Sequence, residues 1–322
     1  MAKPNIGNTW EKQIDEDGAF VRRPTSFHGV CSPDEDAEFP AEPGRYHLYV
    51  SYACPWAHRT LIVRVLKGLQ NVISFDVVHH LLTSDGWSFD TDIDGATGDR
   101  VNGNRFLKEA YFASNPDYEG AITVPVLWDK HSGRIVNNES SEIIRIFNSA
   151  FQSHAEHPQV DLYPEHLRER IDELNDWIYP DINNGVYRCG FARSQRAYSA
   201  AFDSLFSALD RAEEILGRHR FLTGDTLTEA DVRLFTTLVR FDPVYLTHFK
   251  TNKHRLIEYP NLWGYVRDVY QMPGIAETVN MEHIKRHYFE SHRQINPFGI
   301  VPDGPALDLA APHDRAGLLA SV

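Results

Sequence analysis

Two hydrophobic periods alternate along the first half of the chain, and one of them takes over in the second. Tyr46 to Ser51 is aromatic and β-prone, which predicts a strand. Ile62, Val65, Leu66 and Leu69 then recur at helical spacing, so a helix follows Cys54. Pro55 suits its first position, where no backbone N–H is needed, and Gly68 lies near its end. Val72 to His79 predicts a second strand. Ala121 to Asp129 is an apolar run interrupted by Pro125. A proline there argues against an ordinary central strand and fits an edge strand entered through a cis Val124-Pro125 turn. Gly133 to Val136 reads as the closing strand of a hairpin, and Asn138 to Phe147 opens a helix with serine at the capping position.

From about Pro164 the strand signals stop. Helical periodicity runs around 165–183, 195–217, 228–241 and 260–271, and Thr228-Glu-Ala-Asp231 is a capping signal. The pattern divides the chain into an extended arm (1–44), an α/β domain (45–150), an all-helical domain (160–290) and a C-terminal extension (291–322). The arm is expected to pack through Phe20 and Phe27, and the tail from Pro302 to drape over the surface. Residues 81–120 form a long segment rich in Asp, Gly and Asn. Loops of that length in compact domains are functional or disordered. Trp87, embedded in it, reads equally as an anchor for the loop or as a lid over the Cys54 site.

Composition narrows the function. The chain has 322 residues, 42% hydrophobic and 24% charged, as soluble globular proteins do. A net charge of −13 disfavours nucleic acid or an anionic membrane as the main partner. Three cysteines, Cys31, Cys54 and Cys189, are too few and odd in number for a disulfide framework, which favours a reducing compartment. No apolar run approaches the ~18 residues of a membrane span. The N-terminal residues lack a signal-peptide core, so the cytoplasm is the expected location. His79-His80 invites a metal reading. Neighbours on a strand point to opposite faces, however, and no ligand lies at the usual spacing, so no metal is expected.

The chemistry centres on Cys54. At the start of a helix, free N–H groups and the macrodipole favour a thiolate. Strand, Cys-Pro and helix resemble the thioredoxin and glutaredoxin nucleophile, but Ala57 stands where a second cysteine would be. Such a site attacks sulfur and needs an outside thiol to resolve the mixed disulfide. Glutathione is the abundant intracellular one. Glu139 and Ser140, at the start of the later helix, suit the ammonium and carboxylate of its γ-glutamyl group. Cys189 reads as a structural thiol.

Seven ordered blocks sharpen this into a family resemblance. They are Cys-Pro-Trp-Ala-His (54–58), Thr-Val-Pro-Val-Leu-Trp-Asp (123–129), Asn-Glu-Ser-Ser-Glu (138–142), Asn-Asn-Gly-Val-Tyr-Arg-Cys-Gly-Phe-Ala (183–192), Arg-Phe-Asp-Pro-Val-Tyr (240–245), Ile-Lys-Arg-His-Tyr-Phe (284–289) and Asn-Pro-Phe-Gly-Ile-Val-Pro (296–302). Together they resemble the glutathionyl-hydroquinone reductases, the Xi class of glutathione transferases. The resemblance implies an α/β thioredoxin-like N-terminal domain followed by an all-α glutathione-transferase-type C-terminal domain. It implies glutathione as co-substrate, glutathionylated hydroquinones as substrates, no metal, and a homodimer. It assigns Cys54 as nucleophile, Tyr187 as proton donor, Tyr245 and Tyr288 as partners of the thiol, and Trp87, Val124, Glu139 and Ser140 as glutathione contacts, with Pro125 as the cis-proline. At Ala121 the sequence departs from the Arg that the family carries there. Either glutathione binds without that basic contact or another residue supplies it, and Arg100 and Arg105 are candidates. Two other readings compete: an omega-like thioltransferase or dehydroascorbate reductase, and a non-catalytic transferase-like binding module.

Overall fold

The computed structural model describes residues 13–318; the first twelve residues of the expected arm and the last four of the C-terminal extension lie outside it. Two compact units form, and neither is continuous in sequence. The first gathers Pro24–Val160 and Glu277–Val301, and the second gathers 13–23, Asp161–Ala276 and 302–318.

The first unit is built on a four-stranded sheet. Strand β1 (Tyr46–Val50) is buried at every residue, because it pairs on both edges and is covered on both faces. It runs parallel to β2 (Ser74–Val77), joined through helix α1 (Pro55–Leu66). The expected strand from Val72 to His79 is thus shorter at both ends. Gly68, just past α1, has a φ of +68° and sits so close to Glu156 that a Cβ would lie 2.5 Å from its Cβ. Only glycine meets both demands.

The long segment 81–120 is more structured than expected. It holds a short hairpin, β3 (Leu82–Thr83) with β4 (Gly86–Trp87), and helix α2 (Lys108–Ser114). Strand β5 (Val126–Asp129) pairs with β1 and with β6 (Arg134–Asn137), both antiparallel. The sheet order β2-β1-β5-β6 makes β5 an inner strand, not the edge strand expected from Pro125. Pro125 precedes the strand, so its missing N–H interrupts no ladder bond. Helix α3 (Ser140–Ser149) follows β6 and packs on α1. A helix from far along the chain, Met281–Ser291, completes this unit. Its His287 Nδ1 donates to the His80 carbonyl at 2.8 Å, and the Ser291 hydroxyl accepts from the Leu82 N–H. Residues 24–44 lie along the sheet, with Gly29 N–H donating to the Val136 carbonyl and Phe27 against Tyr111 and Tyr118.

The second unit is helical: α4 (Arg168–Trp177), α5 (Gly185–Phe191), α6 (Gln195–Leu216), α7 (Glu229–Leu238), the one-turn α8 (Leu246–His248) and α9 (Pro260–Tyr270). The capping box predicted at Thr228 and Asp231 forms at the start of α7. Two π-helical segments, Ile178–Asn183 and Phe241–Tyr245, interrupt the regular helices. Residues 13–23 dock here through Phe20, whose ring lies 5.4 Å from that of Phe191. The tail does drape: buried Arg315 donates to the carbonyls of Leu216, His219 and Arg220. The helix Met281–Ser291 of the first unit is α10. Among the described residues no helix is long and apolar enough to cross a membrane.

Candidate active site

Cys54 caps α1. Its backbone is extended (φ −76°, ψ 119°), and Pro55 occupies the first helical turn. The Ala57 N–H donates to Sγ at 3.5 Å, and the thiol reaches the Val124 carbonyl at 3.5 Å. The turn before it is tied by the Cys54 N–H to the Ser51 carbonyl at 3.1 Å. An amide aimed at the sulfur, at a helix start with no acidic residue in its first turn, favours the thiolate. The Val124–Pro125 bond is cis, which presents Val124 to the thiol. The pairing of β1 with β5 thus brings Cys54 together with Val124 and Pro125. Cys31 and Cys189 differ: both are buried, and burial pushes each thiol up to about 12.

The start of α3 is capped by Glu139, not by a serine as expected. Its carboxylate accepts from the Ser141 N–H at 3.1 Å and from the Ser141 hydroxyl at 2.9 Å, and Thr25 donates to its other oxygen at 3.3 Å. Ser140 is buried, and Arg59 of α1 donates to its Oγ at 3.4 Å. That guanidinium also lies 4.5 Å over the Trp56 ring. Sequence reasoning missed Arg59. Its signal was present, since Arg59, Ile62 and Leu66 fall on one helical face and a cation there is anomalous.

Arg100, one candidate for the missing basic contact, is committed elsewhere: Nε lies 2.5 Å from buried Asp76 and its other end donates to the Phe75 carbonyl. The Arg105 guanidinium lies 5.2 Å over the Phe106 ring. The Ala121 carbonyl accepts from Tyr118.

Trp87 is 5% exposed and stacks on His287 with centroids 5.0 Å apart. His79 and His80 lie beyond β2, so the opposite-face argument fails; their rings are 4.2 Å apart. Distant carboxylates meet them, Asp92 at 3.1 Å and Glu290 at 2.6 Å. Among the described residues no group of three or more His, Cys, Asp or Glu side chains is arranged to hold a metal.

The three tyrosines belong to different units. Tyr187 on α5 and Tyr245 at the end of a π segment belong to the second unit, and their rings are 6.2 Å apart. Phe249 packs on both, stacking on Tyr245 at 5.5 Å with the planes 7° from parallel. Gly190 admits that ring; a Cβ there would lie 2.0 Å from Phe249 Cδ1. Tyr288 is buried on α10, in the first unit, beside His287 and His292.

A thioredoxin-like sheet with a single cysteine opening α1, in a chain that continues into helices, is the plan of a glutathione transferase. Family models for the glutathione S-transferase N-terminal and C-terminal domains match residues 53–150 and 195–268. The chain is 55% identical to the glutathionyl-hydroquinone reductase YqjG of Escherichia coli K12, over 96% of this chain and 95% of that one. The glutathione-bound structure of that Escherichia coli protein superposes with a TM-score of 0.87 at 56% identity, covering 90% of this chain and 96% of that one. The glutathione-S-transferase Xi of Phanerochaete chrysosporium superposes with a TM-score of 0.90 at 52% identity, covering 94% and 97%. The chain belongs to the Xi class of glutathione transferases, the glutathionyl-hydroquinone reductases.

Proposed function

We propose that the protein reduces S-glutathionyl-hydroquinones to hydroquinones at the expense of glutathione, through a mixed disulfide on Cys54. The observation that carries this reading is the lone thiol at the start of α1, held beside the cis Val124–Pro125 bond with Ala57 in place of a second cysteine. The thiolate attacks the glutathionyl sulfur. A Cys54–glutathione S–S bond forms and the aryl C–S bond breaks. The electron pair moves to the aryl carbon, which takes a proton, with Tyr187 as the donor. A second glutathione thiolate then attacks the mixed disulfide, releasing oxidised glutathione and the Cys54 thiolate. Tyr245 and Tyr288 assist the thiol by hydrogen bonding.

Glutathione is held by the Val124 backbone, by Trp87, and at the start of α3 by Glu139 and Ser140. There the helix N-terminus attracts the γ-glutamyl carboxylate and Glu139 attracts its ammonium. Arg59, already on Ser140, supplies a positive charge near that carboxylate. No metal takes part, and the protein works as a homodimer in the cytoplasm.

Mass spectrometry after incubation with a glutathionyl-hydroquinone and glutathione tests the reaction. Free hydroquinone and oxidised glutathione in equal amounts are expected; unchanged substrate, with disulfides still reduced, would replace this reading by a thioltransferase. Sedimentation at micromolar concentration is expected to give twice the 36.8 kDa chain mass. A species at the chain mass would remove the dimer.

A further inference from the structure

One charged residue in the second unit stands out because it reaches an aromatic cluster from a separate stretch of chain. Arg22 lies in residues 13–23, which dock on this unit through Phe20 and through the Gly18 carbonyl, acceptor of the Arg193 N–H at 2.8 Å. Its guanidinium carbon lies 4.9 Å from the centroid of the Tyr187 ring. Its Nε donates to the Asn184 side-chain oxygen at 2.7 Å. Asn184 precedes Tyr187 by three residues, so both present to one face at the start of α5. A single cation therefore reaches both, its Nε hydrogen-bonded and its guanidinium carbon over the phenol ring, with the Phe20 ring at 5.4 Å.

The other rings against Tyr187 are apolar or neutral: Phe20 from the same stretch, Phe191 on α5, and Tyr245 and Phe249 from beyond α7. Arg188, next in sequence, pairs with Asp181 at 3.7 Å. Arg22 thus places a cation on the ring, and Tyr245 is a titratable neighbour of it.

We infer that Arg22 is a positioning residue for proton donation by Tyr187, its cation on the ring face stabilising the phenolate left when the proton moves to the aryl carbon. This rests on the reading of Tyr187 as the donor. A cation over an aromatic face is attractive, and more so once the ring carries negative charge. The balance of the step is simple: Tyr187 loses one proton, the aryl carbon gains it, and the guanidinium keeps its own. Asn184 holds the guanidinium so that it does not swing away between turnovers.

The test uses the full chain with two substrates, a glutathionyl-hydroquinone and a small glutathionyl disulfide. The disulfide leaves as a thiolate and needs little acid help. In Arg22→Met, hydroquinone release is expected to slow about tenfold, as befits part of a general-acid contribution. Disulfide reduction should hold. The alkaline limb of kcat for the hydroquinone should move up by about one pH unit, because a phenol without its cation loses its proton less readily. Arg22→Lys, which keeps the charge, should restore most of the limb position. Asn184→Ala frees the guanidinium and leaves the aromatic stack, so it should shift the limb in the same direction and serves if Arg22→Met does not fold. Equal losses on both substrates with an unmoved limb would make Arg22 a packing residue and overturn the inference. The control is Tyr187→Phe. If it too loses both activities equally, the donor reading itself falls; if it spares disulfides while Arg22→Met and Asn184→Ala leave the limb unmoved, only the inference about Arg22 falls.

Discussion

Three thiols in one chain meet three different fates. Cys31 and Cys189 are buried, and burial pushes their thiols up to about 12, so both stay protonated and inert near neutrality. Cys54 is half-buried with an amide on its sulfur. Iodoacetamide at pH 6–7 is therefore expected to label one cysteine per chain. Cys54→Ser should abolish that label and the reductase activity together, with the circular dichroism spectrum kept; turnover above a few per cent of wild type would refute the nucleophile. At this scale the sequence was informative wherever the rule is local. A helix start after a strand marked Cys54, a proline in an apolar run marked the cis bond, and an acidic-serine step marked the start of α3. Arg59 and Arg22 escaped because their partners, Ser140 and Tyr187, lie 81 and 165 positions away in sequence.

Elements were legible where apolar residues recur at a clear period, as in β1, α1, α6 and α7. They were hidden where burial involves polar-looking side chains. Helix α10 buries His283, Ile284, His287, Tyr288 and Phe289, so its helical period is spelled partly in histidine. Helix α5 is only seven residues long and follows a π segment, which breaks the 3.6-residue count a pattern search relies on. Strand β5 was misplaced at an edge because Pro125 was counted inside the strand when it stands just before it. The tight fit of α5 gives a prediction. Gly190→Ala would drive a methyl into the Phe249 ring, and overpacking of this kind costs about 1–3 kcal/mol. Urea unfolding should show a lower midpoint with unchanged slope, and hydroquinone turnover should fall as Phe249 shifts from Tyr187 and Tyr245. An unchanged midpoint would mean that the ring has room to move.

For the whole molecule, the family and fold were readable because ordered motifs run along nearly the full chain. The membership of each unit was not, because it is set by contacts between distant stretches. Helix α10 is tied to the first unit by His80–Glu290, by the Trp87–His287 stack and by the His58–Thr278 hydrogen bond just before it. A chain ending at residue 276 is therefore expected to melt the β3–β4 hairpin. Proteolysis should then cut within 80–95 well before it does in the full chain; equal protection of both would show that the hairpin holds without α10. The discontinuity also has a temporal meaning. A ribosome delivers the sheet, α1 and α3 early, yet the helix that closes over Trp87 emerges only after Asp161–Ala276 of the helical unit has been made. Cys54 is thus synthesised long before its own unit is complete, and a nascent chain arrested between residues 160 and 276 would carry a formed Cys54 turn with an unfinished surround.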